Sequence, residues 1–244
     1  MNLYLLEVKF NHNQQEDCLY PVILRSHPET ILVDCGYAGF LPLLEEAASQ
    51  HGISLAELTG VIITHHDIDH MGGLHELKAK YPSIQVYTSE IEAPYVSGKA
   101  KSLRLVQAED MYDSLPEAYK PGAGHFQEML RNMQTVPVDA ILPQEGPLPF
   151  LVGVQIIPTP GHMPGHFSLY LTDSSTLIAA DALVYEAGEL NIANPGYTLD
   201  LPRAIASAHQ LRKWNTDAIV CYHGGVVKEN IQQKFNNLTA RYPK

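Results

Sequence analysis

Between Thr64 and Gly73 the chain reads Thr-His-His-Asp-Ile-Asp-His-Met-Gly-Gly, and five of the six side chains from His65 to His70 are able to bind a divalent metal. Imidazole suits zinc and iron and carboxylate suits harder ions, so the mixture describes a borderline divalent metal, most simply zinc. Alternate residues of an extended turn project to one side, which lets His65, Asp67 and Asp69 converge while His66 and Ile68 point elsewhere. His70 joins them as the chain bends. The mostly apolar run Leu58 to Ile63 ahead of the cluster reads as a buried strand, and Gly72, Gly73 and Leu74-His75-Glu76-Leu77 after it read as the opening of a helix. The cluster therefore lies on the turn leaving a strand, where α/β proteins place their chemistry.

Three further apolar segments end in a potential ligand. Val154 to Gly161 delivers His162, Thr176 to Ala180 delivers Asp181, and Ala218 to Tyr222 delivers His223. A single buried His or Asp after a strand is usually a hydrogen-bonded structural group. Four strand ends in this order instead describe one site assembled from distant parts of the chain. Together with Asp34 in Leu32-Val33-Asp34-Cys35-Gly36, they resemble the metallo-β-lactamase-fold hydrolase superfamily. Its signature is Thr-His-x-His-x-Asp-His-x-Gly-Gly, then Pro-Gly-His, a lone Asp after a strand, and a late His. Thr64 to Gly73, Pro160-Gly161-His162, Asp181 and His223 match it.

The resemblance implies an α/β fold, a four-layer αβ/βα sandwich of two mixed sheets with helices outside. It also implies two divalent ions, zinc in the first place and iron or manganese otherwise. His65, Asp67 and His162 would hold the first, Asp69, His70 and His223 the second, and Asp181 would bridge them. A hydroxide between the ions would attack a small ester, lactone or thioester, with Asp69 orienting it or protonating the leaving group. Asp34 is placed to fix the tautomer of a ligand imidazole, and His166 to support His162 through a hydrogen bond. Tyr185 stands four residues after Asp181, where the family's quorum-signal lactonases have a substrate-binding Tyr at three; it is a candidate for holding the substrate carbonyl.

One position departs from the signature. Asp67 stands where the family has its second His, and His66 occupies a slot that is not a ligand. An extra carboxylate takes a dinuclear centre with a bridging hydroxide from a net charge of about +1 to about zero, which weakens its Lewis acidity and favours harder metals. The flavodiiron branch of the family carries Glu there. An iron redox protein, flavodiiron-like or persulfide-dioxygenase-like, is thus the alternative to hydrolysis, and a metal-stabilised binding protein with weak catalysis is a third reading.

The elements that must position these residues are legible in outline. Strands are expected at Leu3 to Lys9, Leu19 to Arg25, Thr30 to Asp34, Gly60 to Thr64 and Ile84 to Thr88, and helices at Phe40 to His51 and Gly73 to Lys80. Further strands should end near His162, Tyr170, Asp181 and His223, with helices at Leu201 to Trp214 and Val227 to Leu238. Residues 1–244 suit one domain. From about 91 to 138 strand signals lapse, and this stretch reads as a helical insertion over the mouth of the site, with His125 and Phe126 the first candidates to touch substrate.

Sixteen basic and 27 acidic residues give a formal charge of −11. That balance repels phosphate backbones, so nucleic acid is not the expected partner and a small molecule is. The basic run Lys99 to Arg104 reads as a solvated helix face. The opening residues lack the pattern of a secretory signal and no stretch approaches the ~20 apolar residues of a membrane span, which points to a cytoplasmic protein without a membrane partner. Cys18, Cys35 and Cys221 form no disulfide framework, in keeping with a reducing compartment. Cys221 reads as a small buried strand residue. None of these signals encodes an oligomeric state.

Overall fold

The computed structural model describes residues 1–12 and 15–243. Its strands are β1 (Asn2–Leu5), β2 (Val8–His12), β3 (Gln15–Leu19), β4 (Val22–Ser26), β5 (Glu29–Val33), β6 (Gly60–Ile62), β7 (Gln85–Thr88), β8 (Ala140–Ile141), β9 (Gly146–Pro147), β10 (Val154–Pro158), β11 (Phe167–Leu171), β12 (Thr176–Ala180), β13 (Val184–Glu186), β14 (Glu189–Asn191), β15 (Ala218–Cys221) and β16 (Gly225–Val227). The helices are α1 (Leu41–Ser49), α2 (Ile68–Met71), α3 (Leu74–Lys80), α4 (Ala93–Val96), α5 (Leu103–Tyr112), α6 (Lys120–Asn132), α7 (Leu201–Leu211) and α8 (Ile231–Arg241).

Two six-stranded sheets form, in the orders β1-β4-β5-β6-β7-β8 and β16-β15-β12-β11-β10-β9. Side-chain alternation along their strands builds the layers. In β4 and β5, Val22, Leu24, Ile31 and Val33 face the space between the sheets, where they meet Ile156, Phe167, Leu169, Ile178 and Val220. The alternate residues Ile23 and Leu32 face outward onto Leu44, Ala48, Leu74 and Leu77 of α1 and α3. On the other side Leu177, Ala179, Ile219 and Cys221 point outward to Ala208, Leu211, Phe235 and Leu238 of α7 and α8. The result is the four-layer αβ/βα sandwich that the resemblance implied.

Strand direction then gathers the site. β5 and β6 are parallel. β10 and β12 both run antiparallel to β11, and β12 runs parallel to β15, so β10, β12 and β15 share one direction. Their carboxyl ends, with His162, Asp181 and His223 just beyond, therefore lie along one edge of the sandwich. A bridge between Leu19 and His223, and the hydrogen bond from Tyr20 N to Tyr222 O at 3.0 Å, tie the end of β3 to the end of β15 at that edge.

Several expected elements come out divided. The strands expected at Leu3 to Lys9 and Leu19 to Arg25 each split, because Pro21 offers no N–H to a ladder and the chain changes partner there. β2 and β3 form a hairpin of their own, while β1 and β4 join the first sheet. The helix expected from Val227 starts later: Gly224 and Gly225, at φ 105° and 83°, reverse the chain so that Val227 pairs with Ile219, and α8 begins after Asn230 in the left-handed region. The insertion is helical, as α4, α5 and α6. Among the described residues no helix is long and apolar enough to cross a membrane.

Backbone strain concentrates beside the site. Asp34 and Ala180 adopt φ 60° and 46°, sparsely populated values for residues with a Cβ, and Ala180 coincides with a register shift against β15 that redirects Asp181. Gly161 at φ 138° lets the His162 loop lie against the start of α7, where a Cβ would stand 2.1 Å from Ala204 N. Gly161→Ala should therefore lower stability by roughly 2 kcal/mol or more, read as a reduced urea midpoint at unchanged m-value.

Candidate metal centre

Asp34 organises the first strand ends. Its Oδ1 accepts from Thr64 N at 2.9 Å, and its Oδ2 accepts from Thr64 Oγ1 and His70 Nδ1, both at 2.8 Å. His70 therefore carries its proton on Nδ1 and turns Nε2 toward the site. Thr64 Oγ1 has spent its own proton on Asp34, so at 3.0 Å it accepts from His65 Nδ1. His65 Nε2 is left bare. The single turn of α2 then presents Asp69 and His70, held from behind by Tyr222, whose hydroxyl donates to Asp69 O at 2.7 Å and accepts from Gly36 N at 3.1 Å.

The second sheet is buttressed similarly. His166 Nε2 accepts from Asp181 N at 3.0 Å, so its Nδ1 donates to Thr159 Oγ1 at 2.9 Å. Thr159 passes the chain to Ser168 Oγ, which ends it on Ala179 O. Burial, followed by the neighbouring His162, pushes the His166 pKa down to about 3 and keeps the ring neutral. His166 thus fixes the Asp181 backbone, and its ring makes no hydrogen bond to His162.

These supports bring all seven candidate ligands into overlapping groups: His65, Asp67 and His162; His65, His70 and Asp181; and Asp69, His70 and His223, with the ligand atoms of each group within 4.8 Å of one another. Asp181 reaches the third group as well, its Oδ1 lying 3.1 Å from His70 Nε2 and 3.6 Å from His223 Nε2. Among the described residues, His65 Nε2, His70 Nε2 and Asp181 Oδ1 are buried polar atoms without a hydrogen-bond partner. Such atoms are costly unless they serve a ligand, and two imidazole lone pairs facing a carboxylate oxygen suit a divalent cation.

Protonation is biased the same way. Burial alone would raise the Asp181 carboxyl, but His70, His223 and His162 hold it well below the usual range. Burial and the adjacent His70 push His65 well down, so it stays neutral. Burial opposes a charge on His223, yet Asp181 and Asp69 lift its pKa to about 9. Burial likewise opposes a charge on His70, yet Asp181, Asp34 and Asp69 hold it well above the ordinary imidazole value. An ionised carboxylate and a neutral His65 are ready ligands, whereas His70 and His223 must each release a proton when a metal arrives.

Tyr185 is not brought among the ligands: its ring lies beneath Lys234 Nζ at 5.2 Å, and it lines a separate cleft with Leu3, Leu5 and Val226. Its tie to the site is through the main chain, Tyr185 N donating to His223 O at 3.0 Å. Cys221 is fully buried among apolar residues, which pushes its thiol pKa up. His125 is exposed on α6, while Phe126 packs edge-on to Tyr197.

The Lys99 to Arg104 run is not uniformly solvated. Lys99 and Lys101 are exposed, but Arg104 is 2% exposed and reaches into the centre. Its Nε donates to Asp67 Oδ1 at 2.9 Å and its Nη2 to Asp67 Oδ2 at 2.6 Å. His66 also has a partner that the sequence did not disclose, Glu92, whose Oε2 it meets through Nδ1 and through its backbone N at 3.0 Å. A lone arginine among exposed lysines carries no mark of burial. Nor does a Glu 26 residues downstream of His66.

A divalent-cation centre of His and Asp side chains, set at the strand ends of a four-layer sandwich, defines a class of metal-binding α/β proteins. The chain belongs to the metallo-beta-lactamase superfamily, whose model matches residues 22–223. It is 28% identical over 221 residues to the probable metallo-hydrolase YflN of Bacillus subtilis (strain 168), covering 84% of this chain and 80% of that protein. Over 142 residues it is 25% identical to a hydroxyacylglutathione hydrolase of Synechococcus sp. (strain JA-2-3B'a(2-13)), covering 58% of this chain and 40% of that one. The metallo-beta-lactamase family protein TTHA1429 of Thermus thermophilus superposes with a TM-score of 0.67 at 20% identity, covering 98% of this chain and 79% of that one, a likeness of fold. Family and relatives together support a hydrolase at the level of the superfamily.

Asp34→Asn would place an amide opposite His70 Nδ1, removing the charge that orients the ring. Metal affinity should fall roughly 10- to 100-fold with the fold retained, as measured by competition with a chromophoric chelator alongside circular dichroism.

Proposed function

We propose that the chain is a divalent-metal-dependent hydrolase of a small ester, lactone or thioester, with zinc as its metal. The observation that carries this reading is the convergence of His65 Nε2, His70 Nε2 and Asp181 Oδ1, buried and without hydrogen-bond partners. Asp69 and His223 complete the donor set, His223 Nε2 lying 3.1 Å from Asp69 Oδ2. When bound, a divalent ion supplies the carbonyl polarisation and the acidification of water that acyl hydrolysis needs.

The chain's own residues supply access and proton handling. The side chains of His223 and Asp69 are 31% and 15% exposed, against 8% for Asp67 and Asp181, so substrate approaches from the His223 side. In cleavage of the acyl bond the hydroxyl of water goes to the acyl carbon and its proton to the departing oxygen or sulfur. Asp69, the most open of the site's carboxylates, is the group placed to carry that proton. The formal charge of −11 favours a small substrate over a nucleic acid. Two relatives bear the name hydroxyacylglutathione hydrolase, which puts acylated glutathione first on a substrate panel. The iron redox reading drew on Asp67 as a metal ligand, and both oxygens of that carboxylate are engaged by Arg104.

Chelation should abolish hydrolysis of the panel, and zinc should restore it. Asp181→Ala should lose metal and at least ~100-fold of kcat/KM together, checked by elemental analysis and steady-state kinetics on the same preparation. A metal-loaded wild type that turns over no ester, lactone or thioester would refute the assignment.

A further inference from the structure

Arg104 stands where the family resemblance expected a metal ion. Of the first group of candidate ligands, Asp67 gives both oxygens to the guanidinium. His162 Nε2 lies 2.8 Å from Asp67 Oδ2 and 3.3 Å from Arg104 Nη2, so it has a partner whether it donates to the carboxylate or accepts from the arginine. The buried atoms that lack partners belong to His65, His70 and Asp181, and none belongs to Asp67 or His162. The centre therefore divides into a half already matched by a fixed positive charge and a half whose ligand atoms face one another unpaired.

The guanidinium is built into place. Its Nη1 donates to Gln107 Oε1, and Gln107 Nε2 donates to Gly196 O at 3.3 Å. The Tyr197 ring lies under it at 5.5 Å. Ser102 caps α5, accepting from Leu105 N at 3.4 Å, and Leu103 N donates to His66 Nε2 at 3.2 Å. His66 is itself anchored by Glu92, which also accepts from Gly165 N at 2.8 Å. The residue between ligands His65 and Asp67 thus holds the start of the helix that carries Arg104. Burial opposes the arginine's charge, but Asp67, Asp69 and Asp181 keep it ionised.

We propose that Arg104 is a resident cation at Asp67 and His162, so that this chain binds one divalent ion tightly, among His65, His70, Asp181, Asp69 and His223, rather than two. The physical ground is competition for one charge. A carboxylate chelated by guanidinium is not free to ligate, and a divalent ion beside that guanidinium meets like-charge repulsion in a poorly solvated place. Arg104 is accordingly a positioning residue that sets the metal count. The inference rests on the reading of this cluster as a metal centre.

The test is a titration of metal-stripped protein with zinc ions alone, read by native mass spectrometry and by competition with a chelator. Wild type should take up one equivalent tightly, with any second weaker by roughly 100-fold or more. Arg104→Gln, which removes the charge and keeps a polar side chain, should bind two equivalents of similar affinity, whereas Arg104→Lys should stay at one. Cobalt-loaded wild type should give the electron paramagnetic resonance spectrum of an isolated ion, a readout that needs no variant to fold. Two equivalents of comparable affinity in wild type, or spin-coupled cobalt, would overturn the proposal and leave the hydrolase reading standing. A count of one in Arg104→Gln would overturn it as well. Uptake of no metal by wild type would overturn both.

Discussion

Everything at this edge of the sandwich answers to the cost of burying carboxylates. Asp34, Asp67 and Asp181 are almost wholly withdrawn from water, and each must meet a cation or a set of donors. Asp34 is matched by Thr64 and His70, Asp67 by Arg104, and Asp181 by the surrounding imidazoles, in a group that could hold a cation. The short α2, the left-handed turn at Asp34 and the bulge before Asp181 are backbone features that make these meetings possible.

The sandwich contributes direction and rigidity. Co-directional strands deliver His162, Asp181 and His223 to one edge, and the apolar filling between the sheets keeps the two sets of strand ends in register. Hydrogen-bond chains behind the ligands then choose the tautomers. Thr64 and Asp34 expose Nε2 of His65 and His70, while the relay from His166 to Ala179 immobilises the Asp181 backbone. Ligand direction is therefore settled before any ion binds, which reduces the reorganisation that binding requires.

The insertion converts a family scaffold into a particular site. α5 lays Arg104 on Asp67 and α4 brings Glu92 to His66, so a segment without ligands of its own alters the charge at the centre. An Asp in the place of a His in the signature has a local explanation in this arrangement: a guanidinium needs a carboxylate opposite it, and an imidazole could not accept the paired N–H bonds.

Local pattern was enough to expose much of the molecule. The apolar runs of β4, β5, β10 and β12 marked the sheets, and the strand-end placement of His65, His70, His162, Asp181 and His223 marked the candidate site, because composition and spacing are properties of contiguous residues. It overran where a proline or glycine pair changed the chain's partner, at Pro21 and at Gly224-Gly225, since pairing is decided by the rest of the sheet. Nor did it disclose the surroundings of the Tyr185 ring, which lies beneath Lys234 and lines a neighbouring cleft. The family, the sandwich and the chemical character of the donor set could be read from residue order alone. Folding was needed to bring Arg104 inside, to join His66 to Glu92, and to leave particular ligand atoms without partners. Burial and charge pairing arise between segments that meet only when the chain is folded, and no local spacing records them.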